Sequence, residues 1–279
     1  MKIVAFITQT QDTEAKIKVS ESGDCIDSGG IKWIMNPYDE FAVEEAIQTA
    51  EKLGGEVVIV SAGPARAIDA IRQGLAMGAA SAVHIKDDGF ADTDPYTIAK
   101  IVAGEIKKIA DFDLIFTGMK VIDEESAQVG IQVAEELGIP HAALVSEVME
   151  IKPDEKKMVC RKEVDGGSAI VEVPLPALVT CPDAMNEPRY ASLPGIMKAK
   201  KKPVQEVSLD EVNFAELGIA RENVGKGGSR VKTVKIEVPE IERKLKIIKG
   251  SDDTTVKNEE IAESAREIVK LLREEAKVI

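Results

Sequence analysis

Over the first 180 residues, short unbroken apolar runs alternate with stretches whose apolar positions recur every three or four residues. KIVAFIT (2–8) predicts a buried strand. NPYDEFAVEEAIQTAEKLGG (36–55) predicts a helix: Asn-Pro makes the entry, acids fill the first turn, and Phe41, Ala42, Ala46 and Ala50 fall at helical spacing before a double glycine stop. EVVIVSAG (56–63) and SAVHIK (81–86) predict strands, with a helix over 64–78 between them. A helix over 95–110 opens on proline, and DLIFTG (113–118) is a fourth strand. A further helix follows it, and HAALVSEVMEI (141–151) begins a fifth strand. Strands alternating with helices at this spacing predict an α/β fold: a doubly wound, mostly parallel, Rossmann-like sheet.

Near residue 146 the period changes to strand, turn, strand, with Asp154 and Asp165-Gly166-Gly167 at the turns. The sheet is therefore expected to finish with antiparallel strands. The α/β domain is set at 1–182. Beyond it, NEPRYASLPGIMKAKKKP is rich in proline and lysine, and 204–250 lacks a sustained period, so an extended arm is expected from 204. The chain closes on an amphipathic helix over 258–279, with Ile261, Ala265, Ile268, Leu271 and Leu272 on its apolar stripe. Such an arm can be received by another subunit or pack on its own domain.

Charge narrows the classes of partner. The formal net charge is -13, which disfavours nucleic acid and anionic membranes, and aromatics are only 4%, too few for a base-stacking platform. No apolar stretch reaches the length of a membrane span. Three cysteines, Cys25, Cys160 and Cys181, show no zinc or disulfide spacing, which fits a reducing cytoplasm. The two histidines, His84 and His141, lie in no metal or triad pattern. The chain thus lacks the usual side chains of hydrolytic catalysis.

The candidate chemistry sits at TGMKVIDEESAQVGIQVAEELG (117–138), where the fourth strand feeds a helix. In a doubly wound sheet ligands bind beyond the carboxyl ends of the strands where the strand order reverses, here between the first and fourth strands. Gly118 permits close backbone approach, and main-chain N–H groups from Val121 to Gln128 can line a phosphate-binding helix N-terminus. Asp123 reads as the N-cap, with Glu124 and Glu125 in the first turn. The same pattern also describes a capped surface helix with no ligand. Neither G-x-G-x-x-G nor a P-loop is present.

Several motifs, in order across nearly the whole chain, resemble the β subunit of electron-transfer flavoproteins: NPYDEFAVEEA, VSAGPARAIDAIRQGLAMGA, GMKVIDEESAQVG, CRKEVDGGSAIVEVPLPALVT and NEPRYASLPGIMKAKKK. The resemblance implies that an adenine nucleotide, AMP, is held at Ala5, Asn36, Ala62, Gly118, Val121, Ile122, Asp123, Glu124, Glu125, Ser126, Ala127, Gln128 and Val129. It implies a heterodimer with an α subunit that shares an FAD, with residues 204–279 docking on that subunit. It makes 183–203 a partner-recognition loop in which Leu193 is the apolar anchor, with Pro194, Ile196, Met197, Lys198 and Lys200 around it. The implied role is an electron carrier between acyl-CoA-type dehydrogenases and a quinone-linked oxidoreductase, the flavin carrying the chemistry.

Within the family, SAQVG and PHAALVSEV look more like members that split electron pairs, in which a second FAD takes the AMP position and NADH is the donor. Only that form would make the protein an oxidoreductase in its own right. Outside the family, a stand-alone nucleotide-binding α/β protein is the alternative. An enzyme acting on the nucleotide would require a P-loop or metal pattern that the sequence lacks.

Overall fold

The computed structural model describes residues 1–183, 185–239, 248 and 258–278. Two compact units are present, Met1–Ile236 and Glu237–Ile279.

The first unit is built on a seven-stranded parallel sheet. Its strands are β1 (Lys2–Phe6), β4 (Glu56–Gly63), β5 (Ser81–Lys86), β6 (Leu114–Gly118), β7 (His141–Ala142), β11 (Ala177–Cys181) and β12 (Val204–Ser208). Their spatial order is β12-β5-β4-β1-β6-β11-β7. β1 lies in the middle and pairs in parallel with both β4 and β6. Its side chains are buried on both faces: Ile3, Ala5 and Ile7 on one, Val4 and Phe6 on the other. That double burial is why the strand reads as an unbroken apolar run.

Helices cover both faces. α1 (Pro37–Leu53) and α2 (Ile68–Met77) carry Ala42, Val43, Ala46, Ile71 and Leu75 into the layer with Ile3 and Ala5. α3 (Pro95–Lys107) and α4 (Val129–Leu137) bring Ala99, Val102, Ile106, Val133 and Ala134 against Val4 and Phe6. From β1 the chain builds outward through β4 and β5, then returns to place β6 on the other side of β1. The reversal therefore falls between β1 and β6, the first and fourth strands of the sequence reading.

Four features differ from the sequence expectation. The antiparallel strands β8 (Val145–Lys152), β9 (Lys157–Val164) and β10 (Gly167–Pro174) do not extend the central sheet; they pair among themselves in order β10-β9-β8. Met158, Cys160 and Val173 on their inner face pack into the α1–α2 core layer, which gives this small sheet its own hydrophobic support. An antiparallel pair, β2 (Gln9–Gln11) with β3 (Trp33–Met35), follows β1, is joined by the long loop 12–32, and carries no periodic signal because each strand is three residues long. The arm expected from 204 begins instead with β12, which pairs with β5 and buries Val207. Leu209 and Val212 continue that packing, so residues through Ile236 stay in the first unit. Finally, the helix expected to open at Asp123 starts at Val129.

In the second unit, α6 (Asn258–Glu274) is the expected C-terminal helix, and its Ile261, Ile268, Val269 and Leu272 are exposed. The stretches of the expected arm at 240–247 and 249–257 lie outside the described residues. No helix among the described residues is long and apolar enough to cross a membrane.

Candidate functional site

At the reversal point a buried carboxylate joins the two central strands. Asp39, in the first turn of α1, is 2% exposed. Its Oδ2 accepts the Thr8 amide at 2.7 Å, just past β1, and its Oδ1 accepts the Gly118 amide at 2.8 Å, at the end of β6. Burial pushes its pKa up to about 7, against the pull of those two amides and of the Asn36 side chain. Gly118 is glycine for a reason internal to this contact: a Cβ there would stand 2.5 Å from Asp39 Oδ1 and 2.7 Å from Tyr38 Cβ. Asn36 locks the same corner. Its backbone amide donates to Thr8 O at 2.9 Å and its Nδ2 donates to Lys120 O at 2.9 Å. Its Oδ1 is buried with no partner among the described residues.

From β6 the chain enters the loop 119–128. Met119 N donates to Cys181 O at 3.0 Å and ties the loop's start to β11. Asp123 does not cap α4: its Oδ1 accepts only the next amide, Glu124 N, at 2.9 Å. Helix is delayed because Glu125 and Ala127 adopt left-handed backbone angles, φ 52° and 51°. For non-glycine residues such angles are strained and break the helical path. Gln128 occupies the N-cap position with no side-chain cap. The amides of Ser126, Ala127 and Gln128 have no acceptor among the described residues, and those of Val129, Gly130 and Ile131 precede the first intrahelical bond. Asp123, Glu124, Glu125, Ala127 and Gln128 are exposed, whereas Val121, Ile122, Ser126 and Val129 are half-buried. A row of free N–H groups at a helix N-terminus, with an adjoining left-handed to right-handed backbone pair, suits an anion. One of the three acids beside it is neutralised. Glu125 is paired with Lys120 at 2.7 Å, and Lys120 Nζ lies 5.7 Å from the centroid of the Tyr38 ring. Gly130 lets α4 sit close to β6, since a Cβ there would meet Thr117 Cγ2 at 2.7 Å.

Asn36, Gly118 and the loop 121–129 are thus gathered at one corner. The two alanines are less direct. Ala5 is fully buried inside β1 with Ile59 and Phe116 beside it, and Ala62 packs on the opposite face of the sheet near the end of β4. One ligand meets both only across the strand ends, through backbone. Beyond β4, Arg66 stacks on Trp33 at 3.8 Å, and its carbonyl accepts Gln9 Nε2 at 2.9 Å. The sequence reading missed Asp39, Tyr38, Lys120 and Arg66. Asp39 carries no separate local signal: it stands between Tyr38 and Glu40 as one of two acids in the first turn of α1.

The segment 185–203 has two parts. Asn186 Nδ2 donates to Phe41 O and to Glu45, both at 3.1 Å, and Arg189 pairs with Glu44 at 2.8 Å and with Glu51 at 2.7 Å. These bonds fasten the segment along α1. The expected loop then folds into a short helix, α5 (Leu193–Ala199), whose N-cap Ser192 accepts Gly195 N at 3.1 Å. Leu193 is 75% exposed, and Pro194, Ile196, Met197, Lys198 and Lys200 also face outward. Lys202 turns inward instead. Its Nζ donates to Leu75 O and Ala79 O at the end of α2, while Arg72 holds Ala199 O and Lys202 O. Among the described residues no group of three or more His, Cys, Asp or Glu is placed to hold a metal ion.

The family model described as the electron transfer flavoprotein domain matches residues 25–212. The chain is 39% identical, over all of both chains, to an electron transfer flavoprotein subunit beta of Bacillus subtilis (strain 168). It is 44% identical to one from Syntrophomonas wolfei, over 73% of this chain and 78% of that one. It is 34% identical, over 82% of this chain and 84% of the other, to the caffeyl-CoA reductase-Etf complex subunit CarD of Acetobacterium woodii.

Proposed function

We infer the function from family membership: the chain belongs to the electron transfer flavoprotein family, as a β subunit. The protein works as a heterodimer with an α subunit that contributes most of a shared FAD site. It carries electrons from acyl-CoA-type dehydrogenases to a quinone-linked oxidoreductase in the cytoplasm. Within this subunit an adenine nucleotide, AMP, lies at the corner between β1, β6 and α4.

The observation that carries the nucleotide assignment is the loop 119–128, with its unpaired amides leading into α4 beside the partnerless, buried Asn36 Oδ1. A phosphate satisfies the amides, and a nucleoside N–H or hydroxyl satisfies the Asn36 oxygen after a small adjustment. Flavin supplies the redox chemistry. This chain's part is to bind, to orient and to present Leu193 and its lysines to a donor. An apolar knob beside charges suits a brief encounter.

A second reading keeps the same site and places a second FAD there, with NADH as donor, in an electron-bifurcating complex. It is favoured by the SAQVG loop, where Val129 offers no hydroxyl to a phosphate, and by the similarity to a subunit of a caffeyl-CoA reductase-Etf complex.

Flavin stoichiometry separates the readings. The heterodimer is purified and denatured, and released FAD and AMP are quantified by chromatography. One FAD with one AMP supports the carrier, and two FAD without AMP supports bifurcation. Absence of any adenine nucleotide beyond the shared flavin overturns the site.

A further inference from the structure

We propose that Asp39 is the positioning residue of the nucleotide site: its ionised carboxylate holds the ends of β1 and β6 together so that the Asn36 corner and the loop 119–128 can meet one ligand. The proposal rests on the nucleotide reading above.

The geometry is specific. Asp39 comes from α1, yet each of its oxygens is committed to a different strand, Oδ2 to Thr8 N and Oδ1 to Gly118 N. Those two amides sit just past the end of β1 and at the end of the neighbouring parallel β6, at the point where the strand order reverses. Parallel strands splay or close at their ends once ladder bonds stop. The last paired residues here are Phe6 with Thr117, so Thr8 and Gly118 lie just beyond the ladder. The carboxylate continues the connection where backbone no longer does. Gly118 then leads within two residues to Lys120, whose carbonyl receives Asn36 Nδ2, and onward to the free amides of Ser126 to Gln128. Asp39 touches no free amide of the loop. It acts through the strand ends.

The charged form fits both contacts best. A carboxylate accepts strongly at both oxygens, whereas a protonated acid keeps only a weaker acceptor at its hydroxyl oxygen and an amide turns a donor toward one N–H. The surroundings are sparse in opposing charge. Glu40 and Tyr38 lie beside it on α1, the Cys181 thiol at the end of β11 is buried nearby, and Lys120 is engaged by Glu125 and lies over the Tyr38 ring. Burial disfavours the charge and raises the Asp39 pKa to about 7.

The test is binding of AMP, with FAD in a parallel series, to the heterodimer freed of nucleotide, comparing wild type with Asp39→Asn between pH 8 and 6. At pH 8 the variant is expected to bind about tenfold more weakly, the scale of one charge-assisted hydrogen bond. As pH falls, wild-type affinity drops toward that of the variant, whose own profile follows only the titration of the ligand phosphate. Equal affinities at every pH overturn the proposal. So does a wild-type affinity that rises relative to the variant below pH 7, because Asp39 would then act as a repelling charge. If wild type binds neither ligand at any pH, the nucleotide reading fails instead. Should the variant not fold, wild type alone decides: the midpoint of its affinity profile must coincide with the Asp39 carboxyl carbon titration by NMR, and a mismatch overturns the proposal.

Discussion

Arg189 grips Glu44 across 145 residues of sequence, with Nε 2.8 Å from Oε2 and Nη2 3.0 Å from Oε1. Glu44 is 3% exposed in its side chain, so the pair is a fixed clamp, not a surface contact. Burial opposes the charge of Glu44, but the bonds from Arg189 and Gln48 outweigh it and lower its pKa. The clamp fixes the base from which α5 and Leu193 project.

Arg189→Ala leaves the Glu44 carboxylate enclosed without its charged partner, held only by Gln48 Nε2 and the backbone N–H at position 189. The expected loss is about 2 kcal/mol of stability, since removing one member of a buried pair costs more than the pair contributes. Urea denaturation measures it. Donor transfer should slow as well, because the segment bearing Leu193 loses its anchor.

Leu193→Ala should separate docking from folding. The side chain is 75% exposed, so the melting temperature and flavin content are expected to hold while electron transfer from the dehydrogenase slows. Stopped-flow kinetics with two donors checks it; unchanged rates with both would remove Leu193 from the docking surface.

The lysines of the basic run should behave differently. Lys202→Met removes the donor that holds Leu75 O and Ala79 O, and is expected to lower stability by about 1 kcal/mol. Lys200→Met touches no such partner, so its stability stays within about 0.5 kcal/mol while its association rate falls at low salt. Thermal melts and salt-dependent association rates distinguish the two.

Stability should follow pH in the direction opposite to nucleotide affinity. Asp39 is a raised acid: folded it titrates at about 7, against an ordinary 3.8. Between those values the folded state binds more protons than the unfolded one, so this group's contribution falls as pH rises through the window. Melting temperature is therefore expected to rise as pH is lowered from 8 toward 5, and Asp39→Asn should flatten that trend. Below about 4.5 the sign reverses, as Glu44 loses the charge that holds Arg189.

The parallel strands were legible because burial on both faces leaves an unbroken apolar run, and strands 56–63 and 81–86 have the expected bounds. The entry to α1 at Asn36-Pro37 and the end of β6 at Gly118 are legible for a similar reason: Asn-Pro and a glycine after an apolar run are local signals. The start of α4 was not legible. Three acids at 123–125 imitate a helix first turn, and nothing in Ser-Ala-Gln announces that Ala127 takes a left-handed angle. That angle is set by the tertiary surroundings. β12 was missed because five residues after Lys-Lys-Pro carry too little periodicity, and its pairing partner lies more than 100 residues earlier. Asp39 was counted as one more acid at a helix start, since its burial depends on two strand ends that only the fold brings together.

The rims of the central sheet have a bearing on how the chain behaves at high concentration. One rim is β7, two residues long, and the other is β12, which follows Pro203 and exposes Gln205 and Glu206. Neither offers the long, flat, apolar border along which sheets of separate molecules zip together. A subunit synthesised ahead of its partner thus presents few sites for cross-β aggregation from its largest sheet, and losses during overexpression should trace to its exposed apolar side chains instead.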